Sequence, residues 1–114
     1  MNILKKIFGQ SKPTEPILPG EKFAIVKLNM KDGLAIATVN KAYDNYQNKA
    51  FYPWFVGVEL QVIDGNENGH PKDDEALRLN GIQVQLELLL KEQHVVHPVA
   101  RVTRNGFRDI MIYI

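Results

Sequence analysis

The chain has 114 residues, 45% hydrophobic and 24% charged, which suits a single domain built on one core. Fourteen basic residues against thirteen acidic ones leave a formal charge of +1, so no strong field is available to steer nucleic acid or an anionic membrane. The absence of cysteine excludes disulfides, thiolate metal sites and cysteine nucleophiles, and fits a cytoplasmic setting.

Met1 to Phe8 reads as a short amphipathic helix, with Ile3, Leu4, Ile7 and Phe8 on one stripe. Lys5 and Lys6 interrupt it, so it is no signal-peptide core. Gly9 to Gly20 carries Pro13, Pro16 and Pro19 and reads as an extended arm. The expected organisation is a helix and arm over residues 1–20, then one α+β domain over residues 21–114. No apolar run approaches the roughly 18 residues of a membrane span.

Phe23 to Met30 alternates, with Ala24, Val26, Leu28 and Met30 on one face. Asp32-Gly33 suggests a type I′ turn, returning through Leu34 to Val39. With that turn, Met30 would pair with Ala35, Leu28 with Ala37 and Val26 with Val39. Asn40 to Ala50 is polar, carries Tyr43 and Tyr46, and reads mostly as loop. A third strand is expected from Phe51-Tyr52-Pro53 onward, with Trp54, Val56, Val58, Leu60 and Val62 on its buried face.

Asp64 to Asp74 is rich in turn residues. Glu75 to Lys91 carries both periods: Ile82 to Leu88 alternates, while Leu79, Ile82, Leu86, Leu89 and Leu90 follow helical spacing. Length and the Leu/Glu/Gln content favour helix, against a cost of about 1 kcal/mol for Gly81. Val95 to Arg104 reads as a strand, with Pro98 marking an edge or a bulge. Asn105-Gly106 signals a second I′ turn before a last strand, Phe107 to Ile114. The expected fold is a five-stranded, mostly antiparallel sheet with one long helix on one face. Trp54, Val56, Val58 and Leu60 should meet Leu79, Ile82, Leu86 and Leu89.

Three short segments carry a family resemblance: Tyr52-Pro53-Trp54; Asn68-Gly69-His70-Pro71 followed by acids and a Leu-rich stretch; and Arg101-Val102-Thr103-Arg104-Asn105-Gly106 before a strand with Tyr113. Over roughly Phe23 to Tyr113 the chain resembles the bacterial domain-of-unknown-function family 695. That resemblance implies kinship with the regulator of ribonuclease E activity B domain and its ferredoxin-like α+β fold. It favours helix for Leu79 to Leu90, admits a role in regulating RNA metabolism, and brings no catalytic residues. Lys72 stands where relatives often carry a small hydroxyl, which moves the expected N-cap to Asp73.

Asp64, Asn66, Asn68, Gly69 and Glu75 satisfy the EF-hand spacing, so Asp64, Asn66, Asn68 and Glu75 are candidate metal ligands. The context argues for a turn instead: a strand precedes the loop, and Pro71 removes an N–H at position eight. No metal and no cofactor are therefore expected. His94 and His97 would point to opposite faces of a strand and would not share a metal. Arg101, Arg104 and Arg108 cluster around the last hairpin, where they read as a solvated tip or a weak phosphate contact.

No catalytic set is visible; an enzyme using carboxylates such as Glu59 or Asp109 is a third reading, for which nothing specific speaks. Apolar surface is in excess, however. Phe23, Ile25, Ile36, Phe55 and Ile63 fall on the sheet's second face. The last hairpin has Val96, Val102 and Met111 on one face and Val99, Ile110 and Ile112 on the other. Large exposed apolar patches mark interaction sites. The sequence therefore points to a non-catalytic module that binds another protein or a second copy of the chain, with Phe23, Ile25, Ile36, Phe55, Arg101 and Arg104 as candidate binding residues. A calcium-binding domain is the alternative.

Overall fold

The computed structural model describes residues 18–114. The expected Met1–Phe8 helix lies outside them. Five strands form one sheet: β1 (Phe23–Met30), β2 (Gly33–Asn40), β3 (Phe55–Gln61), β4 (His97–Arg104) and β5 (Phe107–Tyr113). Their order is β1-β2-β4-β5-β3, and every neighbouring pair is antiparallel. A single α-helix, α1 (Asp73–Lys91), joins β3 to β4. β3 and β4 are thus parallel to each other, with β5 between them. This split β-α-β unit also occurs in ferredoxin-like sheets, and here the β1–β2 hairpin extends it on the β4 side. Among the described residues no helix is long and apolar enough to cross a membrane.

The core lies between α1 and the β3–β5–β4 part of the sheet. Val96, Ile110 and Ile112 are buried there, with Val56, Val58, Leu60, Leu86 and Leu90 packed against them. Leu79 is fully buried. Each large apolar side chain so buried contributes about 1.5–3 kcal/mol. Two expected members are missing: Trp54 is 72% exposed and Leu89 63% exposed. Trp54 precedes the first residue of an edge strand, and Leu90 occupies the inward position expected of Leu89.

Other expectations are corrected. The first turn is Lys31-Asp32, because Met30 pairs with Gly33, Leu28 with Ala35 and Val26 with Ala37. The register is displaced by two residues, which preserves the faces. Neither Lys31 nor Asp32 has positive φ, so the turn is not type I′; Gly33 alone takes the positive angle, at 121°. The second turn is as expected, with Asn105 at φ 47° and Gly106 at 85°. The helix is N-capped by Lys72 without a side-chain hydrogen bond, and Asp73 is its first residue. The third strand begins only at Phe55, since Phe51 closes a short 3-10 turn (Lys49–Phe51).

Pro98 does mark a bulge: the β4–β5 register shifts between Pro98 and Ala100. The bulge changes the phase of β4, so Val96 joins Ile110 and Ile112 in the core rather than facing the other way. The same pairings place Phe23, Ile25 and Ile36 on the helix side of the sheet and Phe55 on the opposite side. Those four residues therefore do not form one patch.

Candidate functional site

The segment between β2 and β3 has to cross the ends of β4 and β5, because those strands lie between its two anchors. Its start is fixed by Asn40, whose buried side-chain oxygen accepts the N–H groups of Lys22 (3.0 Å) and Ala42 (3.1 Å). That cap launches a short 3-10 turn, Lys41–Tyr43. Its end is pinned by reciprocal backbone bonds between Trp54 and Ile114. The crossing carries Tyr43, Tyr46 and Tyr52 over His97, the first residue of β4. His97 is in turn paired with Tyr113 of β5.

The result is an aromatic nest around one imidazole. His97 is only 2% exposed. Its ring centroid lies 4.2 Å from that of Tyr52, 5.5 Å from Tyr43 and 5.4 Å from Tyr46. The Tyr43 hydroxyl hydrogen-bonds Nδ1 at 3.0 Å. Nε2 is buried and has no partner among the described residues. Burial pushes the His97 pKa down, and burial together with nearby Tyr46 pushes Tyr43 up to about 12. A neutral phenol beside a neutral imidazole is the resulting state at pH 7. These rings, with Lys49 and Val99, enclose an open-mouthed cavity of about 370 Å³.

Tyr43 and Val99 also border a groove of about 450 Å³ beside α1, whose other walls include Phe23, Thr38, Gln83, Glu87 and Arg101. Deeper under the helix, the Asn80 side-chain oxygen accepts from Arg101 (3.0 Å) and Arg108 (2.8 Å). Arg108, 6% exposed, also donates to the Thr103 hydroxyl at 3.1 Å. Burial, then Arg101, lowers the Arg108 pKa. Arg108 is therefore buried rather than part of the solvated hairpin tip expected from sequence, and Arg101 is held beside it by Asn80. Arg104 reaches Asp32 at 3.7 Å.

The calcium-like loop uses its own oxygens. The Asn66 side chain accepts the N–H groups of Asn68 (2.9 Å) and His70 (3.1 Å). Asp64 meets Lys72 at 3.3 Å. Glu75 is buried, accepts the Ile63 and Asp64 N–H groups and pairs with Arg78. The Arg78 contact first, and the backbone bond from Asp64 next, hold the Glu75 pKa down at about 2. Among the described residues no group of three or more potential metal-binding side chains gathers. Glu59 and Asp109 face each other across β3 and β5, and neither lines the groove or the cavity.

Residues 22–114 match the model of a family of unknown function, DUF695. The chain belongs to that family. No curated protein and no solved structure matches it. The match begins just before β1 and takes in the whole sheet and helix. In this DUF695 domain the aromatic nest was not legible as a site. Tyr43, Tyr46 and Tyr52 lie in a segment without periodicity, and His97 had no partner in sequence. The one hint was three tyrosines within the ten residues from Tyr43 to Tyr52.

Proposed function

We propose that this domain is a non-catalytic binding or regulatory module of the bacterial cytoplasm, which receives an extended apolar segment of a partner protein along β1. The observation that carries this reading is the character of that strand. β1 is the last strand of the sheet, and no described strand pairs with its outer side. It presents apolar side chains on both faces: Ile25 (70% exposed) and Phe23 on the helix side, Val26 and Leu28 on the other. An open edge supplies unpaired N–H and C=O groups. Flanking apolar side chains supply the pockets that an added strand fills. The candidate residues Phe23 and Ile25 belong to this edge. Phe55 lies on the far edge and Ile36 on the inner neighbour of β1, so neither is needed for it.

The test is a photo-crosslinking residue at Leu28 of the full-length protein in its native host, with products identified by mass spectrometry. Crosslinks to one other protein, lost when Ile25→Lys is added, support the reading. Crosslinks only to the same chain, with a dimer by light scattering, replace the partner with a second copy. If no product forms, the edge is not a docking site and the reading fails.

A further inference from the structure

We propose that the cavity over His97 binds a small planar aromatic carboxylate, a function independent of the β1 edge. Its walls are rings: Tyr43, Tyr46, Tyr52, Tyr113 and His97. Tyr46 and Tyr52 are inclined by only 25°, and Tyr113 leans on Phe55 at 5.5 Å. Ring faces and edges favour a flat, conjugated guest over a branched aliphatic one. A volume of about 370 Å³ falls in the lower part of the range for small-molecule sites.

The polar groups decide the sign of the guest. Among the described residues no carboxylate lines the cavity, and the one charged lining residue is Lys49, which is exposed. Aromatic cages that hold organic cations keep such a charge away, since an ammonium at the mouth repels them. The same ammonium attracts a carboxylate. His97 lines the same cavity, and its Nε2 has no partner among the described residues. The Tyr43 hydroxyl holds Nδ1 at 3.0 Å in a bond that either partner can donate, so Nε2 is an N–H donor in one tautomer and an acceptor in the other. Nε2 is covered; a guest hydroxyl, which donates or accepts, meets it only where the rings over it part. The guest's carboxylate then lies at Lys49, with its ring among the tyrosines and a ring hydroxyl toward His97.

The test uses 4-hydroxybenzoate as probe, titrated into the full-length protein by calorimetry and by NMR of the His97 ring. We expect saturable one-site binding, a shifted His97 resonance, and a dissociation constant raised at least about tenfold by Lys49→Glu. Lys49 is exposed, so that variant should keep the wild-type melting temperature. Benzyltrimethylammonium, of similar size and opposite charge, should not saturate. The proposal is overturned by absence of saturation below about 10 mM probe, by a Lys49→Glu variant that binds equally well, or by tighter binding of the cation.

Discussion

The carbonyl of Gly69 accepts the backbone N–H of Gly106 at 3.0 Å. Two of the short segments that carry the family resemblance, Asn68-Gly69-His70-Pro71 and the Asn105-Gly106 turn, therefore meet. Gly69 sits at φ +76°, and a methyl group there would collide with the Gly106 nitrogen and stand 2.9 Å from the Asn105 carbonyl carbon. Gly106 also has positive φ, yet open space where its Cβ would go. His70 ties the same loop to β2 through the Leu34 carbonyl at 2.7 Å. These motif residues hold the loop, the hairpin and the sheet together.

Gly69→Ala should therefore destabilise the protein by at least about 1–3 kcal/mol, combining left-handed strain with a backbone collision. Gly106→Ala should cost less, since only the strain applies. Urea denaturation of both variants checks the order. Equal losses would mean that close approach does not limit position 69.

Glu75 gives a pH dependence with a definite sign. Its folded pKa, about 2, lies below the ordinary carboxylate value. A depressed folded pKa contributes stability that is complete above the unfolded value and lost as pH falls through the folded one. The melting-temperature gap between wild type and Glu75→Gln should thus be full at neutral pH and close between about pH 5 and pH 2. A gap that does not change with pH would remove the ion pair with Arg78 as its cause.

Asn80 is the acceptor shared by two guanidinium groups. Asn80→Leu keeps the bulk but leaves a buried Arg108 with only the Thr103 hydroxyl among its present partners. A loss of about 1–3 kcal/mol or more is expected, the range for an unmet buried donor. The double variant Asn80→Leu, Arg108→Met should recover part of it, because removing the charge with its acceptor removes the unmet group. Chemical denaturation of the two proteins measures the difference.

Glu59 and Asp109 are directly opposed across β3 and β5. Like charges in that position disfavour pairing, so Glu59→Lys should stabilise by about 0.2–1 kcal/mol. The gain should shrink in high salt. Destabilisation instead would indicate that the two acids share a bound cation or proton.

Much of this fold can be read from local pattern. Alternation along β1, β2, β3 and β5, and Asn105-Gly106, indicate strands and one turn correctly. Length and composition resolve Glu75 to Lys91 in favour of helix. What failed needed information from elsewhere in the chain. Lys31-Asp32 against Asp32-Gly33 is a choice between turns that both keep the apolar faces aligned, so periodicity cannot separate them. Val96 joins the core because a bulge at Pro98 re-phases β4, and a bulge seen in sequence does not say which residues it turns. Trp54 is apolar and in phase with β3, but precedes an edge strand where α1 does not cover it. Arg108 looked like a surface residue because Asn80, its acceptor, lies on a different element. The nest around His97 depends on the order β2-β4-β5-β3, which forces the tyrosine segment across the sheet ends.

That strand order also constrains the time course of folding. β5 follows the other four strands in the chain, yet it lies between β3 and β4, and its Tyr113 pairs with Phe55 far back in the chain. Until β5 has left the ribosome, β3 has no neighbour in the sheet and the apolar side of α1 has half a platform. The β1–β2 hairpin can form early, but the domain closes in one late, long-range step. Such topologies fold slowly for their size. Before that step β3 and β4 each present an open edge to the place β5 will take, the kind of unpaired edge that favours aggregation.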